Sequence, residues 1–127
     1  MMKPINIENF DQNYATYEPD RELLNGLSTL INNIDITAVI GTWCGDCKLY
    51  VPQFYKVLDA IGFAESNLTL IEVDEEKKAE NSTIDHLNII SIPTFIIFKN
   101  GQELGRIIES PRLTLERDLL NLLKTHN

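Results

Sequence analysis

Two spacings of apolar residues alternate along the chain. Between residues 20 and 32, Leu23, Leu24, Leu27, Leu30 and Ile31 recur with the period of a helix, and Asp20 stands where an N-cap belongs. Residues 34–40 are rich in β-branched side chains, the mark of a buried strand. That run opens directly into Gly41-Thr42-Trp43-Cys44-Gly45-Asp46-Cys47. Helical spacing returns over residues 44–61, with Leu49, Phe54, Val57, Leu58 and Ile61 on the apolar side. Pro52 removes one donor and is expected to kink this helix, and Gly62 to end it. Residues 68–73 read as a second strand, and 74–81 as a charged, solvated stretch. Ser82 or Thr83 can cap a short helix to about His86. Residues 89–92 lead into Pro93, and 94–98 read as a strand. Asn100-Gly101 suits a hairpin turn, because both residues accept positive φ at low cost, and 103–109 is the partner strand. Thr114 caps a last helix that turns Leu115, Leu119, Leu122 and Leu123 inward. Residues 1–19, with Pro4 and Pro19 and weak periodicity, read as an extended N-terminal arm leaning on a core of residues 20–125.

The resulting order is α-β-α-β-α-β-β-α. Strand–helix–strand units imply parallel pairing with helices over both faces, and the terminal hairpin adds an antiparallel edge. The expected fold is one α/β domain over residues 1–127, a three-layer α/β/α sandwich around a mixed sheet of about four strands. The 43% apolar content is enough for a sizeable core. A net charge of −8 disfavours nucleic acid and anionic membrane surfaces as partners. No run approaches the roughly 18 apolar residues of a membrane-spanning helix. The first residues, Met1-Met2-Lys3-Pro4-Ile5-Asn6-Ile7-Glu8, lack the apolar run of a secretory signal, so a cytoplasmic location is expected; a monomer is the expected state.

The chain has 2 cysteines, three positions apart. In a reducing compartment that pattern points to a redox or metal pair rather than a structural disulfide. Cys44 and Cys47 fall at a strand-to-helix junction. Free amide donors and the helix dipole there favour a thiolate on the first cysteine, and the second lies one turn on, within reach of a disulfide. Trp43 is placed to shield the pair. As a metal site the pair lacks partners, since only His86 and His126 remain to complete a tetrahedral set. No metal and no bound cofactor are expected.

Trp43-Cys44-Gly45-Asp46-Cys47-Lys48 resembles the active-site motif of the thioredoxin family. Ile92-Pro93-Thr94-Phe95, 49 residues beyond Cys44, resembles that family's cis-proline loop, and Phe98-Lys99-Asn100-Gly101 its following hairpin. The similarity runs from about residue 20 to residue 124. It implies a thioredoxin-like fold and a dithiol–disulfide oxidoreductase, with Cys44 as exposed nucleophile and Cys47 as resolving thiol. Pro93 would be cis and face the disulfide, and the backbone of Ile92 would pair with an extended substrate segment. The partners implied are a disulfide-containing protein or small molecule and an electron-donating reductase.

Four positions depart from the family pattern. A buried aspartate usually lies six residues before the nucleophile, where this chain has Ala38. The lysine that often accompanies it falls on Leu70, leaving Glu72 on the same strand face as a candidate proton relay for Cys47. Asp46 replaces the familiar proline between the cysteines, and Glu109 aligns with a substrate-facing glycine. Each candidate also has an ordinary explanation. Asp46 is favourable in any first helical turn, by about 0.3–1 kcal/mol. Glu72 and Glu109 suit solvated strand positions, and Trp43 suits a core. The rival to catalysis is an adaptor of the same fold that grips a peptide through Trp43, Ile92 and Pro93.

Overall fold

The computed structural model describes residues 2–76 and 84–125. Four strands form one mixed sheet in the order β2-β1-β3-β4: β1 is Ile34–Ile40, β2 Leu68–Glu72, β3 Thr94–Lys99 and β4 Gln102–Ile108. β1 pairs parallel with β2 and antiparallel with β3, and β3 pairs antiparallel with β4. The parallel pair needs a crossover, and the long helix α3, Gly45–Ala60, supplies it. The β3–β4 hairpin turns on Asn100 and Gly101, at φ 51° and 83°. From residue 20 onward the strands and the longer helices follow the expected order, and the architecture is the α/β/α sandwich read from the sequence.

Register shows which side chains share a face. Ala38 stands opposite Phe95. Phe95 stacks on Phe54 of α3 with ring centroids 4.1 Å apart. This face therefore carries Ile34, Ile36, Ala38 and Ile40 against α3, and it is the dry centre of the core. Helix α4, Leu115–Thr125, closes over the same side, with the Leu122 side chain against Gly105. A Cβ at Gly105 would lie 2.6 Å from that side chain, so a larger residue would make Leu122 shift. On the opposite face Arg106 stands beside Ile96 and donates to the carbonyls of Leu87 and Asn88. That contact ties down the 3-10 turn at Asp85–Leu87, which stands where a short helix was expected. Its proposed caps, Ser82 and Thr83, lie outside the described residues.

Local signals explain most boundaries. Asp20 caps α2, Arg21–Ser28, its carboxylate accepting from the amides of Glu22 and Leu23. Thr114 caps α4 through the amide of Arg117 at 3.1 Å. Such caps are worth about 1 kcal/mol each. Gly62, at φ 72°, follows α3. Leu49 is the exception on α3, 40% exposed where an inward place was expected.

The N-terminal region differs from the expected extended arm. Residues Phe10–Thr16 form a helix, α1, and Met2, Ile7 and Phe10 are buried in the main core. The helix is held by long-range contacts to α3. The Tyr14 hydroxyl donates to Asp59 at 2.7 Å, the Met2 amide donates to the same carboxylate at 2.6 Å, and Phe10 meets Tyr55 edge-on. One contact answers a need inside α3. Pro52 has no N–H, so the Lys48 carbonyl one turn earlier has no helical donor. Asn13 fills that vacancy, its side-chain amide donating to Lys48 O at 2.9 Å. A second unforeseen anchor is Glu116, 2% exposed, which accepts from the Tyr17 hydroxyl and the Asp20 amide. It joins the start of α4 to the linker between α1 and α2.

Candidate active site

β1 ends at Ile40, and Gly41-Thr42-Trp43 turns the chain from the sheet edge into α3. Cys44 is the N-cap residue, with extended backbone at φ −85° and ψ 129°, and Cys47 lies in the first turn of the helix. Both thiols are free. Their exposure differs sharply: Cys44 is half-buried, whereas Cys47 is wholly enclosed. A disulfide partner can therefore reach Cys44 and not Cys47.

The Cys44 side chain makes no capping hydrogen bond to the helix. Its thiol points across the junction and donates to the Ile92 carbonyl at 3.7 Å. Ile92 precedes Pro93 through a cis peptide bond, and both residues are buried. Two hydrogen bonds set the shape of this loop. The Thr94 hydroxyl donates to Ser91 O at 2.6 Å, and the Glu109 amide donates to Pro93 O at 2.7 Å. The loop thus presents the Ile92 carbonyl to the first thiol while its neighbours are fastened to β4.

Burial, more than any charge, pushes the Cys47 thiol up to about 12. The Gly41 amide, donating to its sulfur at 3.4 Å, acts in the opposite direction. Cys44 and the Asp46 carboxylate add to the upward shift. Ala38, fully buried, lies on the sheet face that carries the Phe95–Phe54 stack against α3. It offers no acid.

Glu72 does not supply one either. The relay required its carboxylate to point inward under the helix, but Glu72 is exposed at the end of β2. Among the described residues β2 is an edge strand paired only with β1, so its last residue opens to water. The Glu72 charge acts on Tyr55 and does not figure among the groups that shift Cys47. Asp46 is exposed in the first turn of α3, and Gly45 beside it is exposed as well.

Trp43 is 41% exposed, lying partly over the junction. Its indole N–H donates to Val73 O at 3.1 Å, and Val73 is itself bound through its amide to Ile40 O. The ring rests against Gly41. A Cβ there would lie 2.7 Å from ring atoms Cε2 and Nε1 and 2.8 Å from Ile92 Cδ1. Gly41 therefore lets Trp43, Ile92 and Cys47 converge, a role that sequence reading did not assign. The signal was present as a glycine at the end of a strand, which marks close approach. Among the described residues no cluster of His, Cys, Asp and Glu could hold a metal ion, and no helix is long and apolar enough to cross a membrane.

Comparison with known proteins meets this geometry from another side. The family model for thioredoxin matches residues 28–121. The chain is 34% identical over 83 residues to thioredoxin of Mycolicibacterium smegmatis, covering 65% of this chain and 71% of that one. It is 29% identical over 94 residues to thioredoxin of Malassezia sympodialis, covering 74% of this chain and 81% of the relative. Among solved structures, a Pseudomonas aeruginosa protein of unknown function matches with a TM-score of 0.67 at 17% identity. That match covers 94% of this chain and 82% of the other, and it is a likeness of fold.

Proposed function

The chain belongs to the thioredoxin family, and on that premise we propose that it reduces disulfides with Cys44 as nucleophile and Cys47 as resolving thiol. Thioredoxins are thiol–disulfide oxidoreductases that act on disulfide substrates and draw electrons from a reductase partner. The observation that carries the assignment of roles is the unequal burial of the two sulfurs.

The Cys44 thiolate attacks one sulfur of a substrate disulfide. The substrate S–S bond breaks, a mixed disulfide forms, and the departing thiolate takes up a proton. Cys47 then gives up its proton and attacks Cys44 Sγ. The mixed disulfide breaks, the second substrate thiol leaves, and a Cys44–Cys47 disulfide remains. Two electrons and two protons pass to the substrate. A dithiol or flavoprotein reductase returns them, and no bound cofactor takes part. With Ala38 in place of an acid and Glu72 exposed, the Cys47 proton goes to solvent rather than to a built-in carboxylate. Trp43, Gly45, Asp46, Ile92 and Pro93 shape the surface around Cys44, and the Ile92 backbone pairs with an extended substrate segment. The protein acts as a cytoplasmic monomer with a single domain.

The test is insulin reduction with dithiothreitol as electron source. Cys44→Ser should abolish turnover, and Cys47→Ser should accumulate mixed disulfides. Limited alkylation of the reduced protein near neutral pH should modify Cys44 first. Turnover by Cys44→Ser, or preferential labelling of Cys47, overturns the assignment. An adaptor of the same fold would bind peptide yet leave insulin intact.

A further inference from the structure

Glu109 is the odd member of a small group. Among the described residues, five non-glycine residues have positive φ: Asn9, Asn33, Asn88, Asn100 and Glu109. Asparagine tolerates the left-handed region because its short polar side chain bonds locally. Glutamate has no such relief, yet Glu109 sits at φ 69°. A strained residue of this kind persists where its surroundings hold it, and it is a pointer to function.

The surroundings here are the substrate-facing loop. Cys44 Sγ contacts the Ile92 carbonyl, and the next carbonyl along, that of Pro93, receives the Glu109 amide at 2.7 Å. The backbone of Glu109 is therefore fixed one residue beyond the nucleophile's own contact. Its side chain is exposed and has neither an ion-pair nor a hydrogen-bond partner among the described residues. Asp46, in the first turn of the helix that Cys44 caps, presents a second exposed carboxylate. Two exposed apolar residues lie close by in the chain: Ile108, next to Glu109, and Ile90, two residues before Ile92.

We propose that Glu109 is a specificity-determining residue of the dithiol site, selecting protein disulfides whose reacting cysteine is flanked by a basic residue and disfavouring acidic disulfides such as oxidised glutathione. The inference rests on the disulfide-reducing function proposed above and names the substrate class for that site. A substrate strand lying along Ile92 and Pro93 passes Glu109 within a residue or two. A lysine there is drawn to an unpaired carboxylate, and a glutamate is repelled. Oxidised glutathione brings several carboxylates and little apolar surface, so it meets both Glu109 and Asp46 unfavourably. The effect is electrostatic and exposed, so it weakens as salt shortens the Debye length to about 10 Å at 0.1 M and about 3 Å at 1 M.

The experiment compares two disulfide-linked peptides, identical except for Lys or Glu beside the reacting cysteine. Each is mixed with the pre-reduced full chain in a single turnover, so that no electron donor enters the rate. The Lys peptide should react about fivefold faster at low salt, with the ratio closing toward one near 1 M salt. Oxidised glutathione should react more slowly than either peptide. Glu109→Lys should invert the preference. Glu109→Gly should lower it while leaving the thermal midpoint equal or higher, because glycine accepts this φ without strain. A residue kept for stability alone would give the reverse, a lower midpoint with the preference intact, and that result overturns the proposal. So do equal wild-type rates for both peptides, or a Glu109→Lys protein with unchanged preference. A wild-type protein that reduces neither peptide refutes the disulfide-reducing function itself, which is a different outcome.

Discussion

Gly41→Ala should release the tryptophan from the dithiol junction. The new methyl group would lie 2.7 Å from two indole atoms and 2.8 Å from Ile92 Cδ1. Carbon atoms in good contact sit about 3.5–4.0 Å apart, so a neighbour must retreat by about 1 Å. Ile92 is buried in the loop fastened by Thr94 and Glu109, and it cannot move cheaply. Trp43 is part-exposed and can swing outward, but doing so breaks its hydrogen bond to Val73 O. That bond is worth about 1 kcal/mol. Re-exposing about 40 Å² of ring adds about 1 kcal/mol at about 25 cal/mol per Å². The expected loss is about 2 kcal/mol, or about 1 M in the urea midpoint for a slope of about 2 kcal/mol/M. The chain has 1 tryptophan, so native-state fluorescence reports this ring alone. Emission should shift to the red and become more open to acrylamide quenching. In a Trp43→Ala background the same glycine substitution should cost far less, because the two residues act as a coupled pair. Unchanged emission together with an unchanged urea midpoint would show that the indole does not rest on Gly41, and the account of the junction would fail.

Two further predictions concern Asn13, half-buried against α3, and Cys47, fully buried. Asn13→Ala should leave the Lys48 carbonyl without a donor and cost about 1 kcal/mol in thermal or urea unfolding; Asn13→Asp should cost more, since it sets one acceptor against another, and no loss in either variant would mean that the contact is idle. For Cys47, burial raises the folded-state pKa from 9.0 to about 12. The folded reduced protein therefore holds this proton more tightly than the unfolded chain does. The resulting stabilisation is complete below pH about 9 and fades as pH climbs toward 12. Relative to Cys47→Ser, the unfolding free energy of the reduced protein should fall by up to about 1.4 kcal/mol per pH unit in that window. Parallel stability curves for the two proteins would refute the burial argument; the Tyr14, Tyr17 and Tyr55 hydroxyls, which burial also pushes up, are common to both proteins and cancel.

Much of this molecule was written in local patterns. The β-branched run at Ile34–Ile40, the caps Asp20 and Thr114, and the Asn100-Gly101 turn each act through nearest neighbours, so their signals survive in a one-dimensional reading. The cysteine spacing at the strand-to-helix junction likewise sets one thiol at the helix start and the other in its first turn. What the tertiary structure decided depends on contacts between distant segments. Helix α1 spans only 7 residues, too short to hold by itself, and it forms because Phe10, Tyr14 and Asn13 dock on α3. Glu72 has the alternation of an inward residue, yet β2 lies at the sheet edge, so the residue faces water and the relay is lost. Gly41 and Glu109 look ordinary in the chain. Their places become visible only when the Ile92–Pro93 loop folds back, setting the Trp43 indole and Ile92 against Gly41, the Gly41 amide on the Cys47 sulfur, and the Glu109 amide on the carbonyl next to the one that meets Cys44. Local periodicity encodes which residues turn inward within an element, whereas proximity across many residues of chain is set by the packing of whole elements against one another.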